Sequence, residues 1–241
     1  MHPGHLRDLM AIENSYWWHQ AKRTLVLETL RRHFPAPRRL LEGGVGAGGN
    51  LRAFAAAGYT VSGLDISEMA VEHCHSLGLE NVRAHDLEQP WPAESGSVDV
   101  VVMLDVLEHL ADPVAALRHA RQVLAPGGGL VVTVPAGAWL FGPWDRMLGH
   151  YRRYTPALLR QHAADAGLKT AWLSHWNSFT YPAAWPMRLL QRLRGGAATT
   201  EFPKVSPFTN ARLLDLAAWE RRLMRLVRVP VGLSLVGVLR P

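Results

Sequence analysis

Apolar positions along this 241-residue chain switch repeatedly between a helical and a strand-like period, and the switches predict its elements. Residues 5–34 read as helical: Tyr16-Trp17-Trp18 is followed by Ala21, Leu25, Val26, Leu27 and Leu30, with Arg and Lys interleaved. Pro35 and Pro37 end that segment. Strands and helices then alternate. Arg38–Leu41 reads as a strand, 50–57 as a helix closed by Gly58, and Tyr59–Asp65 as a second strand. Ser67 caps a helix that Gly78 closes, and Val82–His85 is a short third strand. Val98–Leu104 and Leu130–Val134 are apolar on both faces, as buried parallel strands are, with a helix over Pro113–Leu124 and the turn Pro126–Gly129 between them. Thr155 caps a helix to Ala166, and Leu168–Leu173 is a sixth strand. Residues 135–154 break the rhythm with Trp139, Phe141, Trp144, Asp145, His150 and Tyr154, and a long aromatic connection of this kind is usually functional. Residues 174–210 are the least regular, with a short basic-faced helix over Trp185–Arg194 stopped by Gly195-Gly196. Ala211–Val227 reads as a helix with Leu213, Leu214, Leu216, Ala217, Leu223 and Leu226 inward and Arg221, Arg222 and Arg225 outward. Pro230 ends it, and Leu233–Leu239 is a terminal strand. This order predicts an α/β fold: a doubly wound sheet with right-handed crossovers.

The chemistry concentrates at the first strand–helix junction, Arg39 to Asn50, where an acid precedes a glycine turn and a helix N-terminus. The glycines admit backbone conformations closed to other residues, and the helix presents free N–H groups. Two templates fit. Gly44-x-Gly46-x-x-Gly49 satisfies the dinucleotide fingerprint, with Asp65 about 20 residues on. Glu42-x-Gly44-x-Gly46-x-Gly48 is an acid-plus-glycine loop, whose carboxylate repels a pyrophosphate but suits an ammonium group.

Composition narrows the classes. A chain with 48% hydrophobic and 19% charged residues is globular rather than disordered. Its net charge of +6 favours anionic partners, although the arginines sit mostly on predicted helices. Cys74 stands alone, in a predicted helix, which excludes a disulfide within the chain and a Cys-based zinc site. The N-terminus lacks an apolar leader and no uncharged apolar stretch of about 18 residues occurs, so a cytoplasmic protein is expected. The basic helix at 186–194 suggests peripheral membrane contact.

Five segments at strand ends resemble class I S-adenosylmethionine (SAM) methyltransferases of the group that includes ubiquinone-biosynthesis O-methyltransferases: Glu42–Gly48, Gly63–Ser67, Asp86-Leu87, Leu104–Leu110 and Leu124–Gly128. The resemblance covers residues 38–175 and the last strand, and implies a Rossmann-like seven-stranded sheet with an antiparallel last strand. It implies SAM as cofactor and S-adenosylhomocysteine as product. By position, Glu42 takes the methionine ammonium directly or through water, Gly44 and Gly46 line the ligand, and Asp65 accepts from the ribose. Ile66 and Leu87 sandwich the adenine, Asp86 sits near its amine, and Leu104 backs the methionine side. Tyr16-Trp17-Trp18 with Lys22-Arg23 resembles an aromatic lid in which an Arg meets the SAM carboxylate, so Trp17 and Arg23 join the cofactor set. The expected organisation is an N-terminal helical lid (1–34), a SAM-binding core (35–175), a helical insertion capping the substrate (176–229) and a final core strand (230–241).

SAM supplies the activated methyl, so the protein must align an acceptor and, for a hydroxyl, remove its proton. His109 and His150 are the candidate bases, with Asp145 a candidate to orient His150. Asp105-x-x-Glu108-His109 resembles a divalent-ion cluster of some quinone O-methyltransferases, but a metal-independent reaction is expected here. Leu104-Asp105-Val106-Leu107 is not the Asn/Asp-Pro-Pro-aromatic segment of nucleobase amino-methyltransferases, and no RNA-binding module is evident, which disfavours nucleic acid. The expected activity is O-methylation of a small or lipid-linked hydroxylated acceptor. N-, C- or S-methylation, an NAD(P)-dependent oxidoreductase and a non-catalytic SAM-binding protein are the alternatives.

Overall fold

The computed structural model describes residues 3–184 and 205–241. Two N-terminal helices, α1 (Pro3–Ile12) and α2 (Trp17–His33), precede β1 (Arg39–Gly43), α3 (Gly49–Ala56), β2 (Thr60–Asp65), α4 (Glu68–Ser76) and β3 (Val82–Ala84). Then follow β4 (Val98–Leu104), α5 (Pro113–Val123), β5 (Leu124–Pro135), α6 (Pro143–Met147), α7 (Pro156–Asp165) and β6 (Lys169–Trp176). Helix α8 (Pro207–Met224) leads to the last strand, β7 (Ser234–Arg240). Single 3-10 turns lie at Leu107–His109 and Ala138–Leu140. The strands form one sheet in the order β3-β2-β1-β4-β5-β7-β6, with β7 antiparallel to both β5 and β6.

Each expected cap and stop has a local cause. The Ser67 and Thr155 hydroxyls accept from the Ala70 and Leu158 N–H groups at 3.4 and 3.1 Å. Gly58, Gly78 and Gly167 leave their helices at φ of 91, 80 and 74°. Strand β4 shows why its run is apolar throughout. Val101 and Met103 join one buried cluster with Leu117, Leu130 and Leu159, while Val100 and Val102 join another with Leu30, Leu40, Leu51 and Phe54. The sheet is therefore covered on both faces. A third cluster joins Trp17, Ala21 and Leu25 of α2 to Trp176, Ala217 and Met224, pinning α8 against α2. Cys74 is buried, as its place in an apolar helix face requires.

Three expectations change. The single helix over 5–34 is two, broken at 13–16, because Glu13 turns inward to accept from the Gly49 N–H at 3.2 Å. Strand β5 starts at Leu124: Val98 pairs with Leu124 and Val100 with Gly129, so the expected Pro126–Gly129 turn is a bulge within the strand. Helix α8 keeps Leu213, Leu214 and Ala217 inward as expected, but Leu216 and Leu226 are 46% and 84% exposed, and Arg221 turns in to Glu28 at 3.4 Å. Glu220 is also buried, because its carboxylate accepts from the Asn177 and Ser178 N–H groups at 2.9 and 2.8 Å. The basic helix expected over 185–194 lies outside the described residues.

Candidate active site

The strand order reverses between β1 and β4, and a crevice opens outside the carboxyl ends of the strands there. It is a cavity of about 1210 Å³, larger than the usual single-ligand pocket. The glycine loop forms one wall. Gly44, Gly46 and Gly48 have φ of 81, 54 and 79°, and a Cβ on Gly44 would lie 2.5 Å from Val106 Cγ2. Backbone that both turns left-handed and approaches a neighbour this closely requires glycine. The Gly46 N–H donates to Asp65 Oδ2 at 2.9 Å, and Asp65 Oδ1 accepts from Ser67 N–H at 2.9 Å, which ties the loop to the end of β2. Each Asp65 oxygen keeps a second acceptor position.

The expected cofactor residues come together around this wall. Asp65, Ile66, Asp86, Leu87, Gly44, Gly46, Leu104, Trp17 and Arg23 all line the cavity. Ile66 is 67% exposed although apolar, which suits a flat ligand resting on it. Asp86 Oδ1 accepts from the Glu88 N–H at 3.0 Å. Glu42 differs: it is fully buried and does not line the cavity. Neither of its carboxylate oxygens has a hydrogen-bond partner, although Asn50 is close enough to favour the charged form. Burial pushes its pKa up to about 8, against the pull of Lys22, Asn50 and Arg23.

Arg23 is held rather than free. Its guanidinium meets Asn50, Asn14 and the Glu13 carbonyl at 3.2–3.3 Å, and Glu13 Oε2 at 3.7 Å. Glu13 is the site residue the sequence did not reveal, because it sits mid-way through a segment of helical pattern. Its carboxylate at the α3 N-terminus also separates the two loop templates: the Gly49 N–H that a dinucleotide pyrophosphate would use donates to an acid. Beside it, Lys22 Nζ reaches Asp105 Oδ2 at 2.7 Å and lies 4.2 Å from the Trp18 ring. Asp105 holds φ of 55°, a left-handed conformation costing about 1 kcal/mol or more, stored at the end of β4.

Beyond β4 the cavity continues along His109, Trp144, Leu148, His150 and Arg153. The loop 135–154 brings Asp145 and His150 into contact: His150 Nδ1 lies 3.1 Å from Asp145 Oδ1, while Arg153 Nε donates to that oxygen at 2.7 Å. The Gly142 N–H donates to Asp145 Oδ2 at 3.0 Å. Burial alone would raise the Asp145 pKa, but His150, Arg153 and Gly142 together hold it below the usual value. Asp145 is buried behind His150 and does not itself line the cavity. His109 packs edge-on against His150 with ring centroids 4.6 Å apart. Its burial first, and His150 second, push its pKa down to about 4, so it is neutral at pH 7. Glu108 is buried with Oε2 unpartnered, and its pKa is raised by burial and by Asp105. Ligand atoms of Glu108, His109 and His150 lie within 4.8 Å of one another.

The sheet order, its antiparallel seventh strand and a glycine loop at the switch point define the Rossmann-like fold of class I SAM-dependent methyltransferases. Residues 17–173 match the family model of the methyltransferase domain, and the chain belongs to that family. Its cofactor is accordingly SAM. The chain is 39% identical over 99 residues to a ubiquinone biosynthesis O-methyltransferase of Caulobacter, covering 39% of each chain. It is 30% identical over 156 residues to the Thiobacillus denitrificans protein of that name, covering 56% of this chain and 66% of that one. The matches thus span between two fifths and two thirds of these relatives. A SAM-dependent methyltransferase structure from Mesorhizobium loti shares the fold, with a TM-score of 0.60 at 17% identity over 90% of this chain and 98% of that one. One from Archaeoglobus fulgidus does so with a TM-score of 0.60 at 18% identity, over 91% and 94%.

The residues present fit the cofactor. A buried carboxylate without a partner is costly unless a cation completes it, and Glu42 beneath the glycine loop is such a group. Asp65 and Asp86 offer acceptors on the cavity lining, each with an apolar neighbour, Ile66 and Leu87.

Proposed function

We propose that this protein transfers a methyl group from SAM to a hydroxyl oxygen of a small or lipid-linked acceptor. When bound, SAM supplies an electrophilic methyl on a sulfonium. In this reading Glu42, buried behind the glycine loop, takes its ammonium directly or through water, Asp65 its ribose, and Ile66 and Leu87 its adenine with Asp86 at the amine. Gly44, Gly46 and Leu104 shape the middle, and Trp17 and Arg23 close it from the N-terminal helices, which act as a lid. The segment after β6, with α8, acts as the acceptor's cap.

The observation that carries the acceptor chemistry is His150 on the cavity wall with Asp145 buried behind it. Asp145 accepts from Nδ1–H, which leaves Nε2 as the proton acceptor. His150 therefore removes the hydroxyl proton as the oxygen attacks, and Asp145 and Arg153 hold the imidazole in place. His109 is kept neutral beside it and packs against its ring, so it orients rather than takes the proton. Trp17, Trp144 and Leu140 line the same cavity and exclude water from the attacking oxygen. No metal is required in this reading, because Lys22 already supplies a cation to Asp105. The reading agrees with the O-methyltransferase names of the relatives in Caulobacter and Thiobacillus denitrificans.

The test is a mass-spectrometric scan of SAM with small-molecule and lipid extracts. A SAM-dependent product heavier by one CH2, with the methyl on oxygen, is expected. Methyl on nitrogen, carbon or sulfur, or no product from a chain that binds SAM, overturns it.

A further inference from the structure

The outward face of α8 carries large apolar side chains among its charged ones. Phe208, Leu216 and Trp219 recur along it and Leu226 follows in the next turn, with 69%, 46%, 62% and 84% of each exposed. Val227 and Val231 extend the strip. Scattered exposed apolar residues are ordinary, but Leu216, Trp219, Leu226 and Val227 gather at the C-terminal end of α8, and such a patch marks an interaction surface. The exposed Arg212–Asp215 pair separates Phe208 from it. Arg212 pairs with Asp215 at 3.3 Å and Arg225 with Glu28 at 3.2 Å, whereas Arg222 and Arg228 have no carboxylate partner among the described residues.

The geometry points to an anionic lipid bilayer as the occupant: the outer face of α8 docks this enzyme onto a membrane surface. The patch lies on the outward side of one helix end, and none of its residues lines the cavity. Protein hot spots sit in well-packed, desolvated pockets, whereas an interfacial helix lays an exposed apolar stripe among the acyl chains. Guanidinium groups on long stems then reach the phosphate layer, where each adds attraction to anionic lipid. The chain's net charge of +6 acts in the same direction.

The inner face of α8 connects this surface to the site. Asn210 Oδ1 accepts from the Trp17 N–H at 2.8 Å, and Glu220 holds the Asn177 backbone, with Trp17 and Asn177 both lining the cavity. Docking on this face therefore sets the cavity wall one helix thickness from the bilayer, and a lipid-linked acceptor enters from there. The acceptor half of this inference rests on the proposed function; the docking half does not.

The full chain is sedimented with vesicles of phosphatidylcholine, with and without about 30% phosphatidylglycerol, at about 0.05 and about 0.5 M salt. Binding to the anionic vesicles, reversed by salt, is expected. Trp219→Glu/Leu226→Glu and Arg222→Glu/Arg228→Glu should each bind on the order of tenfold or more weakly. Both variants should bind SAM by calorimetry as the parent does, which excludes misfolding. A parent chain that stays in the supernatant at low salt, or variants that pellet equally, overturns the docking. So does a dimer in sedimentation velocity that Trp219→Glu/Leu226→Glu makes monomeric while the parent ignores vesicles. Vesicle binding without any methylated lipid in the product scan sinks the lipid-linked acceptor and leaves the docking standing.

Discussion

Glu42 carries two opposed demands. With its pKa raised to about 8 from the ordinary 4.5, the folded chain holds a proton there that the unfolded chain releases. Its contribution to stability is therefore full below about pH 4.5 and is lost as pH rises through about 8, a swing on the order of a few kcal/mol. A bound ammonium needs the carboxylate charged, so cofactor affinity should rise with pH up to about 8. Glu42→Gln should flatten the pH dependence of Tm, raise Tm near pH 8, and weaken SAM about tenfold to a hundredfold by calorimetry. At the far side of the cavity, His150→Ala should lower kcat about 10²- to 10⁴-fold with SAM affinity unchanged. Asp145→Asn should lower kcat with SAM affinity unchanged, because an amide that donates to Nδ1 leaves the proton on Nε2, where it cannot take another from the hydroxyl. Turnover should survive excess chelator, since the Lys22 ammonium sits 2.7 Å from Asp105; complete loss, restored by a divalent ion, would place that ion among Glu108, His109 and His150. Of these side chains, Glu42 and His109 were legible as candidates from their places at strand ends, and His150 from the aromatic loop, together with Asp145 as its partner. The Lys22–Asp105 pair was not, because its members lie 83 residues apart in the chain.

Elements were legible to the degree that their burial is periodic. Strand β4 and helices α4 and α7 fall where pattern and caps put them, since both signals are local. The N-terminal segment went differently because a buried carboxylate overrode its pattern: Glu13 breaks the helix to reach the Gly49 N–H. In α8 the expected Leu213 and Leu214 stay inward, and Glu220 joins them to reach Asn177 and Ser178. Truncating Glu220 leaves one buried and one half-buried donor without an acceptor. Glu220→Ala should therefore cost about 2–4 kcal/mol in denaturant unfolding. Because Asn177 lines the cavity, the variant should also raise the KM for the acceptor more than it changes SAM affinity.

At the scale of the molecule, the cavity draws its walls from α2, the ends of β1, β2 and β4, and the loop after β5. A ligand spanning these parts binds the folded chain and not the unfolded one. Saturation at about 100 times Kd should add about 2.7 kcal/mol and raise Tm by about 5–10 °C for a chain of this size. Differential scanning fluorimetry with SAM reads this directly, and an unmoved Tm would contradict the cavity's assignment. The described residues contain no helix long and apolar enough to cross a membrane, so the contact proposed for α8 is with a surface.

The amino-acid order alone determined the alternation of strands and helices, the glycine loop and the acids at the strand ends. Each depends on a few neighbouring residues: apolar period, a cap, a backbone that only glycine adopts. Tertiary structure decided which polar groups meet. It joined Asp145 to His150 and Arg153, set Lys22 on Asp105, gave Arg23 to Glu13, and left Glu42 without a partner. It also chose which side of α8 faces water. Burying a charge is costly enough that a carboxylate reaching a backbone amide fixes the local path of the chain, as Glu13 does at Gly49. No periodicity in the chain records where that amide will be.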